Sequence, residues 1–118
     1  MREIKFEFAG QQSDGNWILS RPFTLPEIGI GWVHQFVASS NPPIHFDKLI
    51  ARQFTGLKDS QGKEIYEKDI LEIPGSREFH SVHFSTGMFK AGATIYGPEF
   101  RRCKIIGNIY ENPNLVTQ

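Results

Sequence analysis

His80 and His83 are the one close histidine pair in the chain, and paired imidazoles suit zinc binding or proton transfer. On an extended strand a spacing of three sends the two rings to opposite faces, so they would share a metal only if a bulge rotated one of them. His34 and His45 lie elsewhere, a single cysteine is present and the acids are dispersed, so no metal set is assembled. Glu64, Glu67 and Asp69 form an acidic cluster that could serve as a general base if burial raised one carboxyl; a solvated turn is the simpler reading. Ser39 and Ser40 lack the glycine frame of a nucleophile elbow, and no Gly-Lys-Ser or Gly-Lys-Thr loop cradles a phosphate. Cys103, between Arg102 and Lys104, reads as a small buried strand residue and, being alone, fits a reducing compartment. The sequence therefore nominates no catalytic residue, no metal and no cofactor. A small metal-dependent hydrolase built on His80, His83 and the Glu64 to Asp69 acids is the weakest of three functional readings.

Binding chemistry is better represented. Arg101, Arg102 and Lys104 stand close to Tyr96 and Phe100, with Arg77 and Lys90 as further cations, and a basic groove beside exposed rings is how small β domains hold single-stranded nucleic acid. Against this, ten Phe beside three Tyr and two Trp suggest core filling, and 13 basic side chains are balanced by 13 acidic ones. Residues 1–60 carry six of each sign and residues 61–118 seven of each, so neither half is a polyelectrolyte tail. The favoured reading is a protein partner held at a sheet edge or aromatic patch, with Trp17, Trp32 and Tyr96 as anchors. An exposed edge strand also leaves self-association open.

The elements that must position these groups are short. Ile4, Phe6 and Phe8 alternate with charged residues and predict a first strand, followed by a Ser13-Asp14-Gly15-Asn16 turn and a strand at Trp17-Ile18-Leu19. Pro22, Pro26, Gly29 and Gly31 predict a loop from Arg21 to Gly31, and Trp32-Val33-His34-Gln35-Phe36-Val37 predicts a strand after it. Asn41-Pro42-Pro43 interrupts again, and Phe46 to Phe54 reads as a strand despite a partial helical spacing. Thr55 to Lys63 predicts an ordered loop, Ile70 to Ile73 a strand, Phe79 to Lys90 a hairpin, and Ala93 to Tyr96 and Arg102 to Ile109 the last strands. The fold class that follows is mainly β and antiparallel, a small partly open barrel or sandwich with little helix, in one domain spanning residues 1–118.

Two blocks carry a family resemblance: Gln53-Phe54-Thr55-Gly56-Leu57-Lys58-Asp59-Ser60-Gln61-Gly62-Lys63-Glu64-Ile65-Tyr66-Glu67-Lys68-Asp69-Ile70 and Ile105-Ile106-Gly107-Asn108-Ile109-Tyr110-Glu111-Asn112-Pro113. They resemble the signature of the YopX family of phage and prophage proteins. Arg2-Glu3-Ile4-Lys5-Phe6 and Phe84-Ser85-Thr86-Gly87-Met88-Phe89 are similar to its first strand and mid-chain hairpin, while residues 10–41 are not covered. The family pattern has Arg where Glu7 stands and Gly where Lys68 stands, and a lysine there argues against a strict need for positive φ. The resemblance implies phage origin and a mainly β fold rather than an activity. The first block reads as scaffold, with Asp59 and Asp69 fixing turns.

Met1 through Phe8 lacks the layout of a secretory signal, and no apolar run approaches the ~20 residues that span a membrane. The expectation is a non-enzymatic phage or prophage accessory protein in the host cytosol, binding a host or phage protein, without membrane contact.

Overall fold

The computed structural model describes residues 3–93 and 95–116; Thr94, within the expected Ala93 to Tyr96 strand, and Arg2, within the opening stretch, lie outside them. The fold is mainly β with antiparallel pairing throughout. The chain divides into two compact units, Met1–Gln53 and Phe54–Gln118. No helix among the described residues is long and apolar enough to cross a membrane.

In the first unit the alternation at Phe6 and Phe8 becomes strand β1 (Lys5–Gln12), which pairs with β2 (Trp17–Leu19), with β3 (Phe23–Thr24) and with the first part of β4 (Ile44–Lys58). Ala9, Phe23, Val37 and Ile44 are buried, and Phe8 meets Phe23 edge to face at 6.1 Å. Gly10 lets Ile44 pack close: a Cβ there would lie 2.6 Å from Ile44 Cδ1, and that side chain would have to shift. Arg52 stands opposite Glu7 in the β1–β4 register, and its Nε donates to Glu7 Oε1 at 3.0 Å.

Between β3 and β4 the structure corrects the expected loop and strand. Leu25–Gly29 is helix α1 and Trp32–Ala38 is helix α2. α1 starts from Thr24, whose backbone N–H donates to Glu27 Oε1 at 2.8 Å, and Pro26 occupies its first turn, where a missing N–H costs nothing. The β-branched and aromatic residues after Trp32 favour a strand locally. Packing overrides that preference, because Val33, Phe36 and Val37 fall on one helical face and turn inward together.

In the second unit β5 (Glu64–Tyr66) pairs with the end of β4, and a five-stranded sheet runs in the order β10-β6-β7-β8-β9. Its strands are β6 (Asp69–Glu72), β7 (Phe79–Ser85), β8 (Met88–Ala91), β9 (Ile95–Tyr96) and β10 (Lys104–Asn108). Ile65, Leu71, Val82, Phe89, Ala91, Phe100 and Cys103 form its core. Strand β4 continues to Lys58, so the expected Thr55 to Lys63 loop shrinks to a turn after it.

The two glycine-marked blocks are scaffold in this unit. Asp59 Oδ1 accepts the N–H groups of Gln61 and Lys63, both at 2.9 Å, and Oδ2 accepts Ile105 N–H at 3.0 Å. Burial works to raise the Asp59 carboxyl; the Ile105, Lys63 and Gln61 amides and the Lys63 ammonium outweigh it and hold it below the usual aspartate range. In the second block Asn108 Oδ1 accepts Tyr110 and Glu111 N–H at 3.0 and 2.9 Å, and its Nδ2 donates to Glu111 Oε1 at 2.8 Å.

Candidate functional site

Arg21 leaves β2 on the way to β3 and is held from two sides. Its Nη1 donates to Pro22 O at 2.8 Å and to Glu27 Oε2 at 3.2 Å, the same Glu27 that starts α1. The guanidinium carbon then lies 4.1 Å from the Phe23 ring centroid and 5.1 Å from that of Trp32. Glu27 stays below the usual glutamate range because the Thr24 amide bonds it, with Arg21 adding to that against a smaller effect of burial. Trp32 is 41% exposed, and beside it Ser20, Gln35 and Phe36 help to line a hollow of about 230 Å³. The stack thus offers a rigid aromatic face, a fixed cation and polar side chains within one small concavity.

Of the three expected anchors, Trp32 is built into this site. Trp17, on β2 opposite Gln11, is half-buried and does not line the hollow. Tyr96 belongs to the second unit, where it is 41% exposed with Lys90 Nζ 5.4 Å from its ring centroid. Sequence reading missed Arg21, Phe23 and Phe36 as neighbours of Trp32 because it placed a loop and a strand here. Thr24-Leu25-Pro26-Glu27 is the signal that finds α1, and the Trp32 to Phe36 spacing of four is the signal that finds α2.

The basic region is corrected at its aromatic member. Phe100 is fully buried in the core of the second unit, on the inner side of a 3-10 helix over Gly97–Arg102, and offers no face to a base. Arg101, Arg102 and Lys104 are exposed. Arg102 Nη2 reaches Glu99 Oε2 at 3.4 Å, and Lys104 stands opposite Glu72 in the β6–β10 register, so the cations are interspersed with acids.

The remaining chemistry is distributed. Among the described residues no group of three or more His, Cys, Asp or Glu side chains is arranged to hold a metal ion. Asp69 is buried and accepts Tyr66 N–H at 2.8 Å, which fixes the turn into β6. Ser39 Oγ donates to Phe36 O, and Ser40 Oγ to Pro42 O. Cys103 is buried, its Sγ donates to Glu99 O at 3.6 Å, and burial raises its thiol above the ordinary value. His34 packs edge-on against Phe46 with centroids 5.4 Å apart. His80 and His83, three apart on the continuous strand β7, both border one hollow in the second unit.

The second unit is an antiparallel β framework pinned by Asp59 and Asn108, and the first carries an aromatic and cationic concavity beside a short helical insert. The chain belongs to the YopX family: the family model described as YopX protein matches residues 32–117. Both glycine-marked blocks and α2 fall inside the match, whereas β1 to α1 lie outside it. Among solved structures the chain is similar to the crystal structure of protein EF1440 from Enterococcus faecalis, with 19% sequence identity, 99% of each chain covered and a TM-score of 0.51. That likeness is one of fold. No curated protein matches the sequence.

Proposed function

We propose that this YopX family member is a phage or prophage accessory protein of the host cytosol that acts by binding a partner protein rather than by catalysis, and that Trp32 is its anchor. The observation that carries the reading is the Trp32 ring, 41% exposed yet fixed by Arg21 beside a concavity. Large aromatic side chains next to arginine are the commonest sources of binding energy at protein interfaces, because they bring contact area at small cost in conformational entropy. An apolar side chain of the partner would enter the hollow against Trp32 and Phe36, with the exposed Gln35 supplying polar contacts. Single-stranded nucleic acid binding has less support, since Phe100 is buried and Arg102 and Lys104 face acids.

The experiment is affinity capture from host lysate with mass spectrometry, run in parallel with the unsubstituted chain, Trp32→Ala and Tyr96→Ala. The expected result is a defined protein retained by the unsubstituted chain and by Tyr96→Ala and lost from Trp32→Ala. Capture that Trp32→Ala leaves unchanged, or no specific capture at all, would overturn the reading.

A further inference from the structure

Strand β7 hydrogen-bonds with β6 over Phe79–Ser81 and with β8 over Val82–Ser85. At this changeover the neighbouring chain departs on each side through a residue of positive φ, Lys68 at 71° before β6 and Gly92 at 63° after β8. The space so left is a hollow of about 690 Å³ lined by Lys68, His80, Ser81, His83, Gly92 and Ala93. Its side-chain chemistry is one ammonium, two imidazoles and a hydroxyl, with no carboxylate in the lining. Glu78, outside the lining, reaches His80 Nε2 at 3.3 Å. Gly92 gives the same ring its place, because a Cβ there would lie 2.9 Å from His80 Cγ. Among the described residues, the Lys68 and His83 side chains make no hydrogen bond or ion pair.

Lys68 occupies a left-handed backbone position that glycine fills without strain, and its amide and carbonyl are committed to Val82 O at 2.8 Å and Ile109 N at 3.0 Å. The turn needs that backbone but does not need a lysine, so the side chain calls for another explanation. A concave lining that holds the Lys68 ammonium, the His83 imidazole and the Ser81 hydroxyl, and no acid among the described residues, suits an oxyanion. We infer that this hollow binds a phosphate group, free or as the monoester of a small molecule: Lys68 neutralises it, Ser81 and His83 donate hydrogen bonds, and His80 forms a fixed wall. The volume lies within the range of about 300–1,000 Å³ typical of small-molecule sites, which leaves room for an attached group.

The test is calorimetric titration of the full chain with inorganic phosphate and, separately, with adenosine monophosphate, using adenosine as a control, while NMR follows the imidazole and Ser81 resonances. Saturable binding is expected, with shifts at His83 and Ser81. Lys68→Gly, which keeps the backbone geometry, is expected to weaken it by about tenfold or more, and His83→Ala by several-fold. Tighter binding of the nucleotide than of inorganic phosphate, with adenosine silent, gives a monoester as the source; equal binding gives the free ion. No saturable binding of either probe, unchanged affinity in both variants, or shifts reproduced by chloride at equal ionic strength would overturn the inference.

Discussion

The Asp59 carboxylate and the Ile105 amide meet at 3.0 Å across forty-six residues of chain, and this bond joins the two glycine-marked blocks, both of which lie inside the family match. The other oxygen of the same carboxylate closes the turn after β4 through Gln61 and Lys63. One buried side chain therefore sets both a local turn and the start of β10. The ionised carboxylate accepts on both oxygens at once, which suits it to hold Gln61, Lys63 and Ile105 together.

Asp59→Asn converts one acceptor oxygen into a donor, so either Ile105 or the turn amides lose their partner. We expect a loss of about 1–3 kcal/mol in urea unfolding. The pH dependence has a definite sign: the folded carboxyl titrates below its unfolded value, so its contribution is complete above the ordinary aspartate value of about 3.9 and fades as pH falls through the folded one. Stability measured below about pH 4 should fall less steeply in Asp59→Asn than in the unsubstituted chain. Equal slopes would remove Asp59 as a source of acid sensitivity.

Lys68 has φ 71°, so the position does require the left-handed region, contrary to what a lysine in place of glycine suggests. The turn tolerates it because three hydrogen bonds hold the backbone there, Lys68 N to Val82 O, Ile109 N to Lys68 O and Tyr66 N to Asp69 Oδ2. The left-handed penalty of about 1–2 kcal/mol is partly offset in a glycine variant by the extra freedom of the unfolded chain. Lys68→Gly should therefore raise stability by about 0.5–1 kcal/mol, visible as a higher Tm. A lower Tm would mean the lysine side chain stabilises the fold.

Gly107 is the next residue whose absent side chain matters. A Cβ there would fall on Asn112, 2.8 Å from its Cγ and closer still to Oδ1, the atom that accepts Asn108 N–H. Gly107→Ala should cost about 1–3 kcal/mol through overpacking. Asn112→Ala alone loses a hydrogen bond, but in the double variant the clash is gone, so the two losses should sum to more than the measured total. Strict additivity would show that the two side chains do not compete for this space.

Most of the second unit was legible because its alternation and turn dipeptides agree with its packing. Phe79 to Lys90 reads as a hairpin, and Thr86 and Gly87 close it with φ of 51° and 84°. The first unit was less legible around Trp32, where β-branched residues at helical spacing satisfy two templates and only the partners of Val33 and Val37 decide between them. The Trp32 concavity was invisible for the same reason, since Arg21, Phe23 and Phe36 converge only once α1 and α2 exist. Phe100 misled because its neighbours Arg101 and Arg102 are exposed, although the 3-10 turn over Gly97–Arg102 sets Phe100 alone on its inner side.

Phe100 and Trp32 should separate scaffold from surface in one experiment. Phe100 is enclosed with Leu71, Val82 and Cys103, so Phe100→Ala leaves a cavity that neighbouring strands cannot close and should cost about 3–5 kcal/mol. Trp32 touches Arg21 through an exposed cation–π contact, a kind worth about 0.5–1 kcal/mol, so Trp32→Ala should cost about 1 kcal/mol or less. The two variants, compared by chemical denaturation at the same temperature, should differ in midpoint in the sense opposite to ring size, with the smaller Phe100 ring giving the larger loss. A Trp32 loss as large as that of Phe100 would make the ring part of the core and withdraw it from partner binding.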